Sequence, residues 1–105
     1  MAQIKWTEPA LFDLDEIAEY IALDKPSAAK KLIKEVFKSV KNLKQFPEAG
    51  HCPPELPESN YRELTVGPCR IFYRTEKKKV FILYVMRSER ELRKFLLEDR
   101  SNLNS

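Results

Sequence analysis

Two runs of apolar residues at helical spacing, separated by Asp24-Lys25-Pro26-Ser27, constrain this chain more than any other feature. In the first, Ala10, Leu11, Leu14, Ala18, Ile21 and Ala22 recur every three or four residues and share one side of an α-helix. In the second, Ala29, Leu32, Ile33, Val36, Phe37, Val40 and Leu43 continue the pattern. Lys30, Lys31, Lys34, Lys38, Lys41 and Lys44 lie mostly on the other side. Thr7 offers an N-cap oxygen, and Pro9 sits early in the first helix, where a missing N–H costs little. That helix is expected to end near Leu23. Pro26 suits the first turn of the next, with Asp24 or Lys25 just outside, and Phe46-Pro47 stops it. The pattern is a helical hairpin whose apolar seam must be covered by the rest of the chain.

The cover reads as a sheet. Gln3–Trp6 is a short strand candidate, and Tyr61–Val66, Cys69–Thr75 and Val80–Met86 are three more, joined by Gly67-Pro68 and by residues 76–79. Such links suit antiparallel hairpins. Phe81 to Val85, FILYV, is almost wholly apolar, as a central strand covered on both faces would be. Residues 46–60 carry four of the seven prolines and read as a long loop, either functional or a proline-stiffened connector. Leu92, Phe95 and Leu96 predict a short amphipathic C-terminal helix, with 101–105 fraying. The order β-α-α-β-β-β-α predicts an α+β fold: a helical hairpin packed on a small twisted, mainly antiparallel sheet, with a short C-terminal helix. A chain of 105 residues is expected to form one domain, 1–105.

Charge is segregated. Residues 1–24 hold one lysine and six acids, whereas residues 25–45 hold seven lysines and one glutamate, within a net charge of +3. Such blocks fit neighbouring helices that complement one another. A lysine face turned to nucleic acid or to an acidic protein is the alternative, although the overall charge is too small to assign nucleic acid by itself. No apolar run approaches the ~20 residues of a membrane span. Acids interrupt the N-terminus where a signal peptide needs apolar residues, so a cytoplasmic protein without membrane contact is expected. Cys69, starting a strand, reads as a small buried hydrophobe. Cys52 lies beside His51, the one histidine, but further ligands are not evident, so neither metal nor cofactor is expected.

The arginines are the candidate functional residues. Arg62, Leu64 and Val66 share one strand face, and Arg70, Phe72 and Arg74 share another, opposite Cys69, Ile71 and Tyr73. Arg87 and Arg90 follow the last strand. Depending on register, several converge at one end of the sheet, where guanidinium groups grip phosphates or carboxylates; otherwise they cap a wet sheet face.

The motifs A-L-x-D-L-x-x-I-A-x-Y-I-A (Ala10 to Ala22), D-x-P-x-A-A (Asp24 to Ala29), L-x-x-F-P-x-x-G (Leu43 to Gly50), P-E-L (Pro54 to Leu56), Y-R-E-L-x-V-G-P (Tyr61 to Pro68), R-I-x-Y-R (Arg70 to Arg74) and V-x-I-L-x-V (Val80 to Val85) occur in this order. Together they resemble the RelE/ParE toxin superfamily of bacterial type II toxin–antitoxin modules, and the helix start and the F-P-x-x-G exit are closer to the ParE-like branch. The resemblance implies a toxin that inhibits growth by binding DNA gyrase, acts in plasmid maintenance, and is neutralised by a cognate antitoxin whose tail wraps it. Contact with nucleic acid would then be only indirect, and no residue is catalytic. Arg70, Tyr73, Arg74, Arg87, Arg90, Arg93 and Lys94 become the candidate partner contacts. The RelE-like branch instead cleaves mRNA on the ribosome, and there Arg62, Arg70, Arg74, Arg87 and Arg90 would bind phosphate. This chain has Ser88 where that branch has an arginine, Lys94 at its helix tyrosine, and no histidine near the last strand. It also has Arg87-Ser88 where many ParE-like sequences have His-Gly. A third possibility under the resemblance is an inactive toxin serving as antitoxin co-repressor.

Overall fold

The computed structural model describes residues 1–103. Strand β1 (Gln3–Trp6) leads into helix α1 (Glu8–Asp24), which turns at Lys25 into α2 (Pro26–Lys41) and a 3-10 turn at Asn42–Lys44. After a connector come β2 (Arg62–Val66), β3 (Cys69–Glu76), β4 (Lys79–Arg87) and α3 (Lys94–Leu103). This is the expected α+β order. The strands align as β1-β4-β3-β2, with β1 parallel to β4 and the other pairs antiparallel. Among the described residues no helix is long and apolar enough to cross a membrane.

The hairpin forms for the reasons its sequence gives. Thr7 Oγ1 accepts from the Ala10 N–H at 3.4 Å and Pro9 occupies the first turn. Lys25, in extended conformation, ends α1 and starts α2. Ala10 and Leu14 of α1 and Leu32, Val36 and Val40 of α2 are buried against Ile71, Tyr73, Val80 and Ile82 of the sheet. Of the expected stripes, Leu11 and Phe37 are about two-fifths exposed. They sit at the seam's margins, and Ile17 completes the packing from α1. The opposite sheet face carries a second cluster, in which Phe72, Leu83, Tyr84 and Met86 meet Leu97 of α3, with Leu56 of the connector alongside. Strand β4 is therefore covered on both faces, as its composition requires.

The register between β3 and β4 shifts between Phe72 and Tyr73: Phe72 pairs with Tyr84 and Tyr73 with Ile82, leaving Leu83 as an extra residue in β4. A bulge of this kind breaks the alternation locally, which puts Leu83 and Tyr84 both in the second cluster. Its freed carbonyl matters below.

Several expectations need correction. Helix α3 begins only at Lys94; Leu92 packs from the preceding loop, and Phe95 is 63% exposed while Leu97 takes the buried place. Residues 101–103, expected to fray, are helical, with Ser101 buried, while 104 and 105 lie outside the described residues. No ion pair joins α1 to α2 among the described residues. Their opposite charges face away from the apolar seam, and the seam holds the hairpin. Residues 46–60 form a tied connector: His51 and Glu63 exchange backbone hydrogen bonds of 3.1 and 2.7 Å, and the Gly50 N–H donates to the Tyr73 hydroxyl at 2.9 Å. A Cβ at Gly50 would stand 2.6 Å from both the Glu63 carbonyl and that hydroxyl, so only glycine fits.

Candidate partner-binding groove

Strand β1 stops at Trp6, opposite Ile82, so the second half of β4 has β3 on one side and no strand on the other. Backbone groups on that open side are satisfied by side chains. Thr7 donates its hydroxyl to the Ile82 carbonyl at 2.7 Å, the Val85 N–H donates to Asp13 Oδ2 at 3.0 Å, and Arg100 donates to the Leu83 carbonyl at 3.1 Å. Arg100 also donates to both oxygens of Asp13, at 2.5 and 3.1 Å, and stacks 4.6 Å from the Tyr84 ring centroid. One arginine thus ties α3 to α1 and to the bulge, converting a bare strand edge into a fixed wall.

The space left there is a groove of about 910 Å³ between α1, the end of β4 and the segment leading into α3. Its floor is Tyr84 to Arg87, one wall is Asp13, Glu16, Ile17 and Tyr20 of α1, and the other is Arg90 to Phe95. Arg87 reaches the α1 wall: its guanidinium lies 4.4 Å from the Tyr20 ring centroid, while its Nε is 3.1 Å from Glu89. Exposed Tyr20 and Phe95 add apolar surface to a cationic rim. Such a site suits a polypeptide with acidic and apolar side chains.

Four of the seven expected contact residues, Arg87, Arg90, Arg93 and Lys94, line this groove. The other three do not. Tyr73 is fully buried, and its hydroxyl donates to the Pro47 carbonyl at 2.9 Å, so it anchors the connector. Burial also raises its pKa. Arg70 donates to Glu63 at 2.6 and 2.8 Å and to Glu55 at 2.6 and 2.7 Å, over the Phe72 ring. The Arg70 hydrogen bonds pull the Glu55 carboxyl from its ordinary 4.5 down to about 2, and the two glutamates together raise the Arg70 pKa. Arg74 donates to Glu76 at 2.6 Å and to the Ser101 carbonyl at 3.3 Å, pinning α3 to β3. Arg62 donates to the Glu48 and Gly50 carbonyls at 3.2 and 2.7 Å. The arginines therefore do not converge. Arg70 and Arg74 project from the α3 face of the sheet, Arg62 serves the connector, and Arg87 reaches α1.

Sequence reasoning gave no role to Asp13, Glu16, Tyr20, Glu55, Glu63 or Arg100. For Glu63 a signal existed. The two-residue turn Gly67-Pro68 pairs Val66 with Cys69, which puts Glu63 opposite Phe72 and on the face of Arg70. Cys69 is fully buried as expected, and its thiol is pushed up to about 11 by burial. No group of three or more potential metal-ligating side chains occurs among the described residues.

A protein-family model described as the ParE toxin of the type II toxin–antitoxin system parDE matches residues 4–92. The chain is 34% identical over 89 residues to the toxin-like protein Y4kP of Sinorhizobium fredii, covering 85% of this chain and 91% of that one. It is 37% identical over 68 residues to toxin RelE2 of Caulobacter vibrioides, covering 65% and 73%. Its fold matches a chain of the chromosomal ParDE toxin–antitoxin system from P. aeruginosa with a TM-score of 0.70 at 33% identity, covering 85% of this chain and 98% of that one. A chain of the RelBE2 toxin–antitoxin complex from Mycobacterium tuberculosis shares the fold at a TM-score of 0.55 and 19% identity, over 82% and 96% of the two chains.

Proposed function

Because the chain belongs to the ParE toxin family of type II toxin–antitoxin systems, we propose that it stops growth by binding DNA gyrase and that a cognate antitoxin neutralises it. The observation that carries this reading is how the arginines are employed. A ribonuclease of this fold needs cations free to meet a phosphate and a group to take the 2′-hydroxyl proton. Here Arg70, on the middle of the sheet, has four hydrogen bonds to two carboxylates, and its side chain is 14% exposed. A phosphate would have to displace both glutamates. His51 stands 3.3 Å from Glu63, beside β2, two strands away from the β4 edge that floors the groove. In the groove, Arg90, Arg93 and Lys94 are in no ion pair among the described residues and stand beside exposed Tyr20 and Phe95. The groove's chemistry is that of a protein-binding site, available to gyrase in the free toxin and to an antitoxin tail in the complex.

The test is supercoiling of relaxed plasmid by purified gyrase with ATP, titrated with antitoxin-free protein. Inhibition or accumulation of linear DNA is expected, relieved by the antitoxin. Replacing Arg90 and Arg93 by alanine should weaken inhibition tenfold or more while leaving the melting temperature unchanged, since both residues are exposed. No effect of folded protein at large molar excess would overturn the proposal. Cleavage of mRNA on translating ribosomes would replace it with the ribonuclease reading.

A further inference from the structure

The outward face of α2 is a cationic ridge that the groove does not involve. At ~100° per residue, Lys30, Lys31, Lys34, Lys38 and Lys41 fall within an arc of roughly 100°, on the side away from buried Ala29, Leu32, Val36 and Val40. All five are exposed, and none is in an ion pair among the described residues. No acid of α1 forms an ion pair with them among the described residues; Asp13 is committed to Arg100, and Glu16 lines the groove. Glu35 is the one acid on α2 itself. The five ammonium groups spread over a rise of about 16 Å, from Lys30 to Lys41.

We propose that this ridge binds the phosphate backbone of duplex DNA, independently of base sequence. A duplex offers a straight array of charge, one per ~1.7 Å of axis, which a row of point charges can follow in many registers. The ridge is all lysine. It lacks the planar donor forks that select an individual carboxylate on a protein partner. It also lacks apolar groups between the lysines, which binding into a lipid surface requires. Phe37, the nearest large apolar side chain, is laid against Trp6 with ring centroids 5.0 Å apart. The inference does not rest on gyrase as the target, but it gives a toxin acting beside DNA a direct hold on it.

The test is fluorescence anisotropy of a short labelled duplex with the antitoxin-free protein across a salt series from about 50 to 200 mM. The logarithm of the association constant should fall against that of salt with a slope of about −4 to −5, as five phosphate contacts require. The triple variant Lys30→Gln, Lys34→Gln, Lys38→Gln keeps helix propensity. It should retain its melting temperature, lose on the order of 100-fold in affinity near 0.1 M salt, and flatten the slope by about 3. A second triple variant, Lys77→Gln, Lys78→Gln, Lys79→Gln in the β3–β4 turn and at the start of β4, removes the same charge elsewhere and should lose far less. Equal loss in both variants would overturn the assignment to α2. So would absence of duplex binding by folded protein at 50 mM salt, including the case where vesicles rich in phosphatidylserine bind it instead.

Discussion

Arg70 donates four hydrogen bonds to the carboxylates of Glu55 and Glu63, and at this scale the protein's pH response is set. The Glu55 pKa is depressed from 4.5 to about 2, so its pairing stabilises the fold above the unfolded value and that contribution disappears as pH falls from 4.5 through 2. Glu55 is a third exposed, and solvent screening leaves about 1 kcal/mol for the effect. Melting temperatures measured from pH 6 down to pH 2 should therefore decline more steeply in the wild type than in Glu55→Gln, the two curves approaching at the acid end; parallel curves would remove Glu55 from this role. A strand arginine read from sequence is a free cation, and Arg70 has a cationic guanidinium as expected. What sequence reasoning left unused was its neighbour. Glu63 follows from the two-residue turn, whereas Glu55 reaches Arg70 through the fold of the connector, which no local pattern encodes.

At the level of elements, Thr7 joins two of them. Its hydroxyl oxygen caps α1 while its proton goes to the Ile82 carbonyl at the point where β1 ends. Thr7→Ala removes both and should cost about 1–2 kcal/mol in urea unfolding, with Thr7→Ser recovering most of it. A loss no larger than that of an exposed threonine would show the cap to be idle. Helix starts were legible because capping and proline rules act within a few residues: Thr7, Pro9, Lys25 and Pro26 all stand where they were expected. The start of α3 was not. Leu92 and Phe95 fit a helical period, but the loop to Arg93 is tied by the Ser88 N–H to the Pro68 carbonyl at 2.8 Å and packs Leu92 from outside the helix.

Across the whole molecule, Arg100 fastens α1, β4 and α3 around the groove without lining it. Arg100→Ala should cost about 2 kcal/mol in urea unfolding, because Asp13 loses its cation and the Leu83 carbonyl its donor. If the proposed function holds, gyrase inhibition should weaken in the fraction that remains folded, and Arg100→Lys should restore part of both; unchanged stability would dismiss the clasp. The sequence by itself determined the elements, their order, the α+β class and the toxin family. Those depend on periodicity, caps, turn length and a series of short motifs, all local to stretches of chain. Only the tertiary structure decided which charges are available. The extra residue in β4, the end of β1 at Trp6 and the course of residues 46–60 divide the arginines among sheet face, connector and groove. Those features arise from packing between segments far apart in the chain, where the energy of each contact depends on all the others being in place.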